Sequence, residues 1–225
     1  MTDHNIYEKL WRKHWFTKDL PLKIIYDNTC IISDLYGVRG FLVPEDIYFL
    51  WYLGFTLPKY GKYLEVGSWL GLSGSVTAFG LISNSNFNAK VFCVDTWEIM
   101  PEQSNYYEEL KEKNLFDIFK SNTDKLKVSK YISPIKGKSI EVAKSISEKD
   151  FDTIFIDGEH TFEACYEDIK AWLPKLKQGG KMYGHDGSPD SGVVKALEKI
   201  KNEYGFNYSI IEPPYAHYIW ELHIS

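Results

Sequence analysis

The sequence predicts an α/β fold, a doubly wound and mostly parallel sheet with helices on both faces and an antiparallel C-terminal strand. Three observations lead there. From Lys62 onward, short apolar runs alternate with amphipathic segments of helical period, the rhythm of strand–helix units around a parallel sheet. The runs themselves, such as Val91-Phe92-Cys93-Val94 and Thr153-Ile154-Phe155-Ile156, are apolar at consecutive positions, as strands covered on both faces must be. The last segment breaks the rhythm, because Tyr208 to Ile211 and His217 to His223 read as two strands joined around Pro213-Pro214.

Taken in order, residues 1–60 form a helical and irregular extension, a candidate lid, ahead of the main domain at 61–225. In the extension, Pro44 with Glu45 and Asp46 behind it marks a helix start, and Ile47, Leu50, Trp51 and Gly54 share one face of a helix over Val43 to Leu57. The parallel strands are expected at Tyr63 to Val66, Val91 to Val94, Tyr131 to Ile135, Thr153 to Ile156 and Lys181 to Tyr183. Helices are expected at Leu72 to Ser83, Ile140 to Ser147, Phe162 to Leu176 and Val193 to Tyr204. In the third of these, Phe162, Cys165, Tyr166, Ile169, Trp172, Leu173 and Leu176 recur at helical spacing, and Gly179-Gly180 reads as its stop. Trp97 to Lys127 is too long for an ordinary strand-to-helix connection and predicts a helical insertion over the sheet edge.

Composition narrows the function. The chain of 225 residues is 44% hydrophobic, enough for one well-buried core. A net charge of -5 without any Lys/Arg-rich run lacks the basic excess that a nucleic-acid binder needs to displace counterions. Cys30, Cys93 and Cys165 lie far apart without a CxxC pair, which suits reduced thiols. No secretory-type apolar core opens the sequence and no run approaches ~18 apolar residues, so a soluble cytoplasmic protein without membrane partners is expected. Aromatics make up 16% of the chain, more than packing requires. Trp11, Trp15, Trp51, Tyr106 and Tyr107 are candidates for stacking on an acceptor ring, and so aromatic an extension suits a homo-oligomer interface.

Ligands of open parallel sheets gather beyond the carboxyl ends of the strands. The first strand ends in Glu65-Val66-Gly67-Ser68-Trp69-Leu70-Gly71, where Gly67 and Gly71 permit a tight turn and the following helix offers its amides. The second strand ends at Asp95, thirty residues after Glu65, where a carboxylate can accept both hydroxyls of a ribose. A dinucleotide site prefers Gly-x-Gly-x-x-Gly, so Trp69 and Leu70 between these glycines favour a zwitterionic amino-acid tail over a pyrophosphate.

With Gly137-Lys138-Ser139 after the third strand, these elements resemble the donor site of class I S-adenosylmethionine-dependent methyltransferases, which have a Rossmann-like fold. Phe155-Ile156-Asp157-Gly158-Glu159-His160 and Gly184-His185-Asp186 are similar to the metal-dependent branch that includes catechol and macrolide-sugar O-methyltransferases. The resemblance runs from Lys62 to the C-terminus. It implies that Glu65, Gly67, Ser68, Trp69, Gly71 and Ser73 surround the methionine part of S-adenosylmethionine. Asp95 then holds the ribose, Trp97 covers the adenine or the acceptor, and Lys138, Ser139 and Asp157 border the donor.

On the acceptor side, Asp157 and the His185-Asp186 pair end adjacent strands, and His160 follows Asp157 by three residues. Two acids and two histidines at one sheet edge suit a divalent cation, with oxygen ligands favouring magnesium or manganese. The resemblance implies metal ligation by Asp157, His185 and Asp186, with His185 standing where the branch has an oxygen ligand. It also implies that His160 is the general base beside Asp157, a role open to imidazole because it ordinarily titrates near pH ~6.5. The reaction expected is metal-assisted O-methylation of a small hydroxylated acceptor such as a sugar or glycosylated metabolite. Two alternatives stay open at this point. One is a non-haem iron hydroxylase of cephalosporin-hydroxylase type, using His160, His185 and a carboxylate; the other is a non-catalytic S-adenosylmethionine-binding protein.

Overall fold

The structure is a computed structural model that describes residues 33–35, 37–99, 108–147, 149–211 and 218–224. The strands are β1 (Ser33–Leu35), β2 (Val38–Gly40), β3 (Lys62–Val66), β4 (Lys90–Asp95), β5 (Ile132–Lys136), β6 (Phe151–Ile156), β7 (Leu176–Gly184), β8 (Asn207–Ile211) and β9 (Ile219–His223). The helices are α1 (Pro44–Thr56), α2 (Leu72–Ser83), α3 (Leu115–Lys125), α4 (Ser139–Ser145), α5 (Phe162–Trp172) and α6 (Gly192–Tyr204). Seven strands form the main sheet in the order β5-β4-β3-β6-β7-β9-β8, in which β9 runs antiparallel to both neighbours. The expected fold class is therefore what the chain adopts, including its antiparallel end.

Alternation along the strands explains the two-sided layering. On β4, Val91 and Cys93 join the apolar cluster under α1, α2 and α3, whereas Phe92 and Val94 face the cluster under α4, α5 and α6. Trp172 and Trp220, both fully buried, fill the second cluster. Every strand of β3, β4, β5 and β6 is parallel to its neighbours, so their carboxyl ends share one edge.

α1 packs directly on α2. A Cβ on Gly54 would lie 1.9 Å from the Thr77 carbonyl oxygen, and one on Gly80 would lie 2.0 Å from that of Trp51. Only glycine allows the two backbones so close, and the indole of Trp51 then donates to Ser83 Oγ at 3.2 Å. Leu42, Ile47 and Leu50 thus belong to the same core as the sheet.

Three expectations need correction. The helix read over Phe162 to Leu176 ends at Trp172, because Pro174 has no amide hydrogen to continue it and a short 3-10 turn over Leu173–Lys175 follows. Gly179-Gly180 is not that helix's stop. It lies inside β7, where Gly179 has φ +75° and the pairing with β6 slips between Phe151 and Thr153, so the pair forms a bulge. In the extension, a β1–β2 hairpin turning at Gly37 (φ +74°) stands where only helix and irregular chain were expected. Within the stretch after β4, α3 leans on the turn after β3: Asn122 donates to the Leu70 carbonyl at 2.9 Å. Trp11, Trp15, Cys30, Tyr106, Tyr107 and the Pro213-Pro214 connection lie outside the described residues. Cys93 and Cys165 are buried free thiols. Among the described residues, no helix is long and apolar enough to cross a membrane.

Candidate active site

The turn after β3 closes against two neighbouring strand ends. Gly67 donates its amide to the Val94 carbonyl at 2.9 Å and adopts φ +90°, and a Cβ there would fall 2.0 Å from the Asp157 carbonyl oxygen. Gly71 caps α2 with φ +87° beneath the Phe119 ring. Trp69 also takes a positive φ, +39°, which is costly for a bulky side chain. Its indole stacks on Phe41 with centroids 5.2 Å apart.

Asp95 binds this turn together. One carboxylate oxygen accepts from the Trp69 amide at 2.8 Å and the other from the Trp97 amide at 2.6 Å. Burial pushes its carboxyl upward, while these amides pull it back. Trp97 is buried, donates its indole to the Trp69 carbonyl at 2.8 Å and packs on Phe116 and Phe119.

Behind the turn, Glu65 is fully buried, and burial raises its carboxyl to about 7, with the Ser73 hydroxyl the largest opposing influence. Glu65 Oε1 and Ser68 Oγ accept no hydrogen bond from the described residues. Unmatched polar atoms in a buried position are rare and costly, and a methionine ammonium is the kind of donor that would satisfy them. At the β5 end, Lys138 is exposed at the N-cap of α4 and Ser139 follows it. The Ser139 hydroxyl donates to Asp168 and accepts from the Trp172 indole at 2.8 Å, so it clamps α4 to α5. Asp168 is buried, and burial lifts its carboxyl to about 6. Sequence reasoning missed Asp168, although an acid three residues after Cys165 on an apolar stripe was a legible signal.

The acceptor-side cluster forms where β6 and β7 end. His160 Nε2 lies 3.0 Å from Asp186 Oδ2 and 3.8 Å from Asp157 Oδ1. Ligand atoms of Asp157, His160 and Asp186 all fall within 4.8 Å of one another, a mixed oxygen and imidazole set that fits a divalent cation. His185 is placed one layer deeper. Its Nδ1 is 3.1 Å from Asp186 Oδ2 and 3.8 Å from Asp157 Oδ1, and its Nε2 is 3.2 Å from Asp46 Oδ2. Desolvation lowers the His185 pKa, but Asp186, Asp46 and Asp157 outweigh it and raise the imidazole to about 11. Both ring nitrogens therefore face carboxylates. Burial drives the Asp157 carboxyl well above its usual range, with His185 opposing and Asp186, Glu65 and Asp46 adding to it. Asp46, contributed by α1, is the second residue that sequence reasoning missed; it was read only as part of a helix start.

A glycine turn with a buried acid behind it, a carboxylate bridging two amides at the next strand end and a polar cluster at the β6 and β7 ends lie along one edge of the doubly wound sheet. A family model described as a methyltransferase domain matches residues 64–187, and the chain belongs to that family. Its fold is that of the class I S-adenosylmethionine-dependent methyltransferases. Comparison with curated proteins gives no match. Among solved structures, the O-methyltransferase NovP is similar with TM-score 0.65 at 13% identity, covering 83% of this chain and 82% of that one. CalS11, a TDP-rhamnose 3'-O-methyltransferase of calicheamicin biosynthesis, gives 0.51 at 17% identity over 79% and 76%. A protein from Nostoc punctiforme PCC 73102 gives 0.53 at 17% identity, and there the match covers 80% of this chain but 56% of that one. At such identities the likeness establishes the fold.

Proposed function

We propose that this methyltransferase transfers the methyl group of S-adenosylmethionine to a hydroxyl of a small polar acceptor, a sugar or a glycosylated metabolite, with a divalent cation assisting. The observation that carries this reading is the convergence of Asp157, His160 and Asp186 at the strand ends beside the Gly67 turn. The names of NovP and CalS11, an O-methyltransferase and a sugar O-methyltransferase, lend support to oxygen as the acceptor atom.

S-adenosylmethionine supplies a methyl carbon already activated on a sulfonium. The chain's part is to align, shield and deprotonate. Glu65 and Ser68 hold the amino-acid end, Gly67 and Gly71 let the backbone approach, and Asp95 accepts from the ribose hydroxyls. His160, more than half exposed and anchored through Nε2 to Asp186, takes the hydroxyl proton on its other nitrogen as the oxygen–carbon bond forms and the carbon–sulfur bond breaks, with S-adenosylhomocysteine as the leaving group. Asp157 and Asp186 would hold magnesium or manganese, which would lower a hydroxyl's pKa and stabilise developing alkoxide charge, with His160 off the ion as the base.

The test is methyl transfer from labelled donor to a panel of sugars and nucleotide sugars, with and without magnesium, for wild type and His160→Ala. Transfer to a hydroxyl that the variant loses by ~100-fold or more, at unchanged donor affinity, is the expected outcome. Equal turnover by the variant removes His160 from the reaction.

A further inference from the structure

Asp46 lies outside the stretch that the family model covers, yet it reaches the transfer site. It is 1% exposed, accepts the Val43 amide at 3.2 Å and stands 3.2 Å from His185 Nε2. From there the contacts continue: His185 Nδ1 to Asp186 Oδ2 at 3.1 Å, then Asp186 Oδ2 to His160 Nε2 at 3.0 Å. Four side chains from three distant parts of the sequence make one line from the buried first turn of α1 to the exposed ring of His160.

The two ends of this line are anchored differently. α1 cannot slide, because its backbone meets that of α2 at Gly54 and Gly80, and α2 is the helix that Gly71 of the donor turn caps. The His185 backbone is equally fixed, since its amide donates to the Ile156 carbonyl at 3.0 Å and its carbonyl accepts from the Trp220 indole at 3.1 Å. Asp186 is different: it has φ +59°, a left-handed turn conformation that aspartate tolerates better than most non-glycine residues, and its side chain is more than a third exposed. The His185 ring is a rigid spacer between a fixed, buried carboxylate and this more exposed one.

We propose that Asp46 is a positioning residue which, through His185, sets the direction of the Asp186 carboxylate and thereby the orientation of the His160 ring relative to the donor turn. The extension thus completes the transfer site as well as covering the core. The role in turnover rests on the function proposed above; the positioning itself does not, and is read separately.

The experiment is side-chain 1H–15N correlation NMR of the histidines at one fixed pH, with His160→Gln identifying the His160 signals. Asp46→Asn keeps the shape and an acceptor for the Val43 amide but removes the carboxylate. In this variant the His160 nitrogen shifts move to those of a solvent-exposed histidine in the denatured chain, while S-adenosylhomocysteine binds within about twofold of wild type. Should Asp46→Asn fail to fold, His185→Gln carries the same expectation with the same donor-binding control. Unchanged His160 shifts in a folded variant overturn the proposal. Displaced His160 shifts with undiminished methyl transfer support the positioning and sink the catalytic role of His160 instead.

Discussion

Replacing Gly67 by alanine adds one methyl group where there is no room for it. The new Cβ would stand 2.0 Å from the Asp157 carbonyl oxygen, 2.5 Å from its carbonyl carbon and 2.9 Å from Gly158 Cα, all backbone atoms that no side-chain rotation can move. At φ +90° an L-residue is itself strained by about 1–2 kcal/mol. Overpacking adds about 1–3 kcal/mol. The central expectation is then a loss of about 3–4 kcal/mol, and for a domain of this size each kcal/mol lowers Tm by about 2–4 °C. Scanning calorimetry should therefore show a fall of about 6–16 °C. Relief requires the β3 turn to part from the β6 end, so the variant should also lose S-adenosylmethionine binding by isothermal titration calorimetry. A variant within about 2 °C of wild type that binds the donor normally would refute the packing argument.

Further outcomes follow from the charges around that turn. Asp95→Ala removes the acceptor of two backbone amides and, on the proposed reading, of the ribose; hydrogen bonds to a charged group contribute about 1.5–3 kcal/mol, so donor affinity should fall at least ~10-fold in titration calorimetry. Glu65 is raised from 4.5 to about 7 in the folded protein, so between those values the native state binds more protons than the unfolded chain. Its contribution is thus present below about pH 4.5 and is lost as pH rises through 7. The full effect is on the order of 3 kcal/mol at pH 8 for a wholly buried group. Glu65→Gln should abolish that pH dependence in thermal melts, gaining stability relative to wild type at pH 8 while binding the donor more weakly; a variant whose Tm tracks wild type across pH 5–8 would contradict it.

Much of the fold was legible because buried parallel strands leave continuous apolar runs, and every expected strand of the sheet is present within a few residues. What escaped depended on contacts that no local window contains. Gly179-Gly180 looks the same as a helix stop or a bulge until β6 is laid beside it. The turn after β3 was readable as a turn because Gly67 and Gly71 adopt positive φ, and Asp95 does fall at the next strand end. The depth of His185 was not readable: its neighbour Asp46 is far away in sequence, on a helix that reaches the β7 end through tertiary packing such as Phe49 on Tyr183. Ser139 was expected to border the donor, and its partners Asp168 and Trp172 come from a helix whose buried face was read as purely apolar.

The most direct measurement is a crystal structure with S-adenosylhomocysteine and manganese. The expected result places the ribose hydroxyls on Asp95, the amino-acid end beside Glu65 and Ser68, and the metal on Asp157 and Asp186 beside His160. Donor bound elsewhere, or excluded from the Gly67 turn at saturating concentration, would contradict the account.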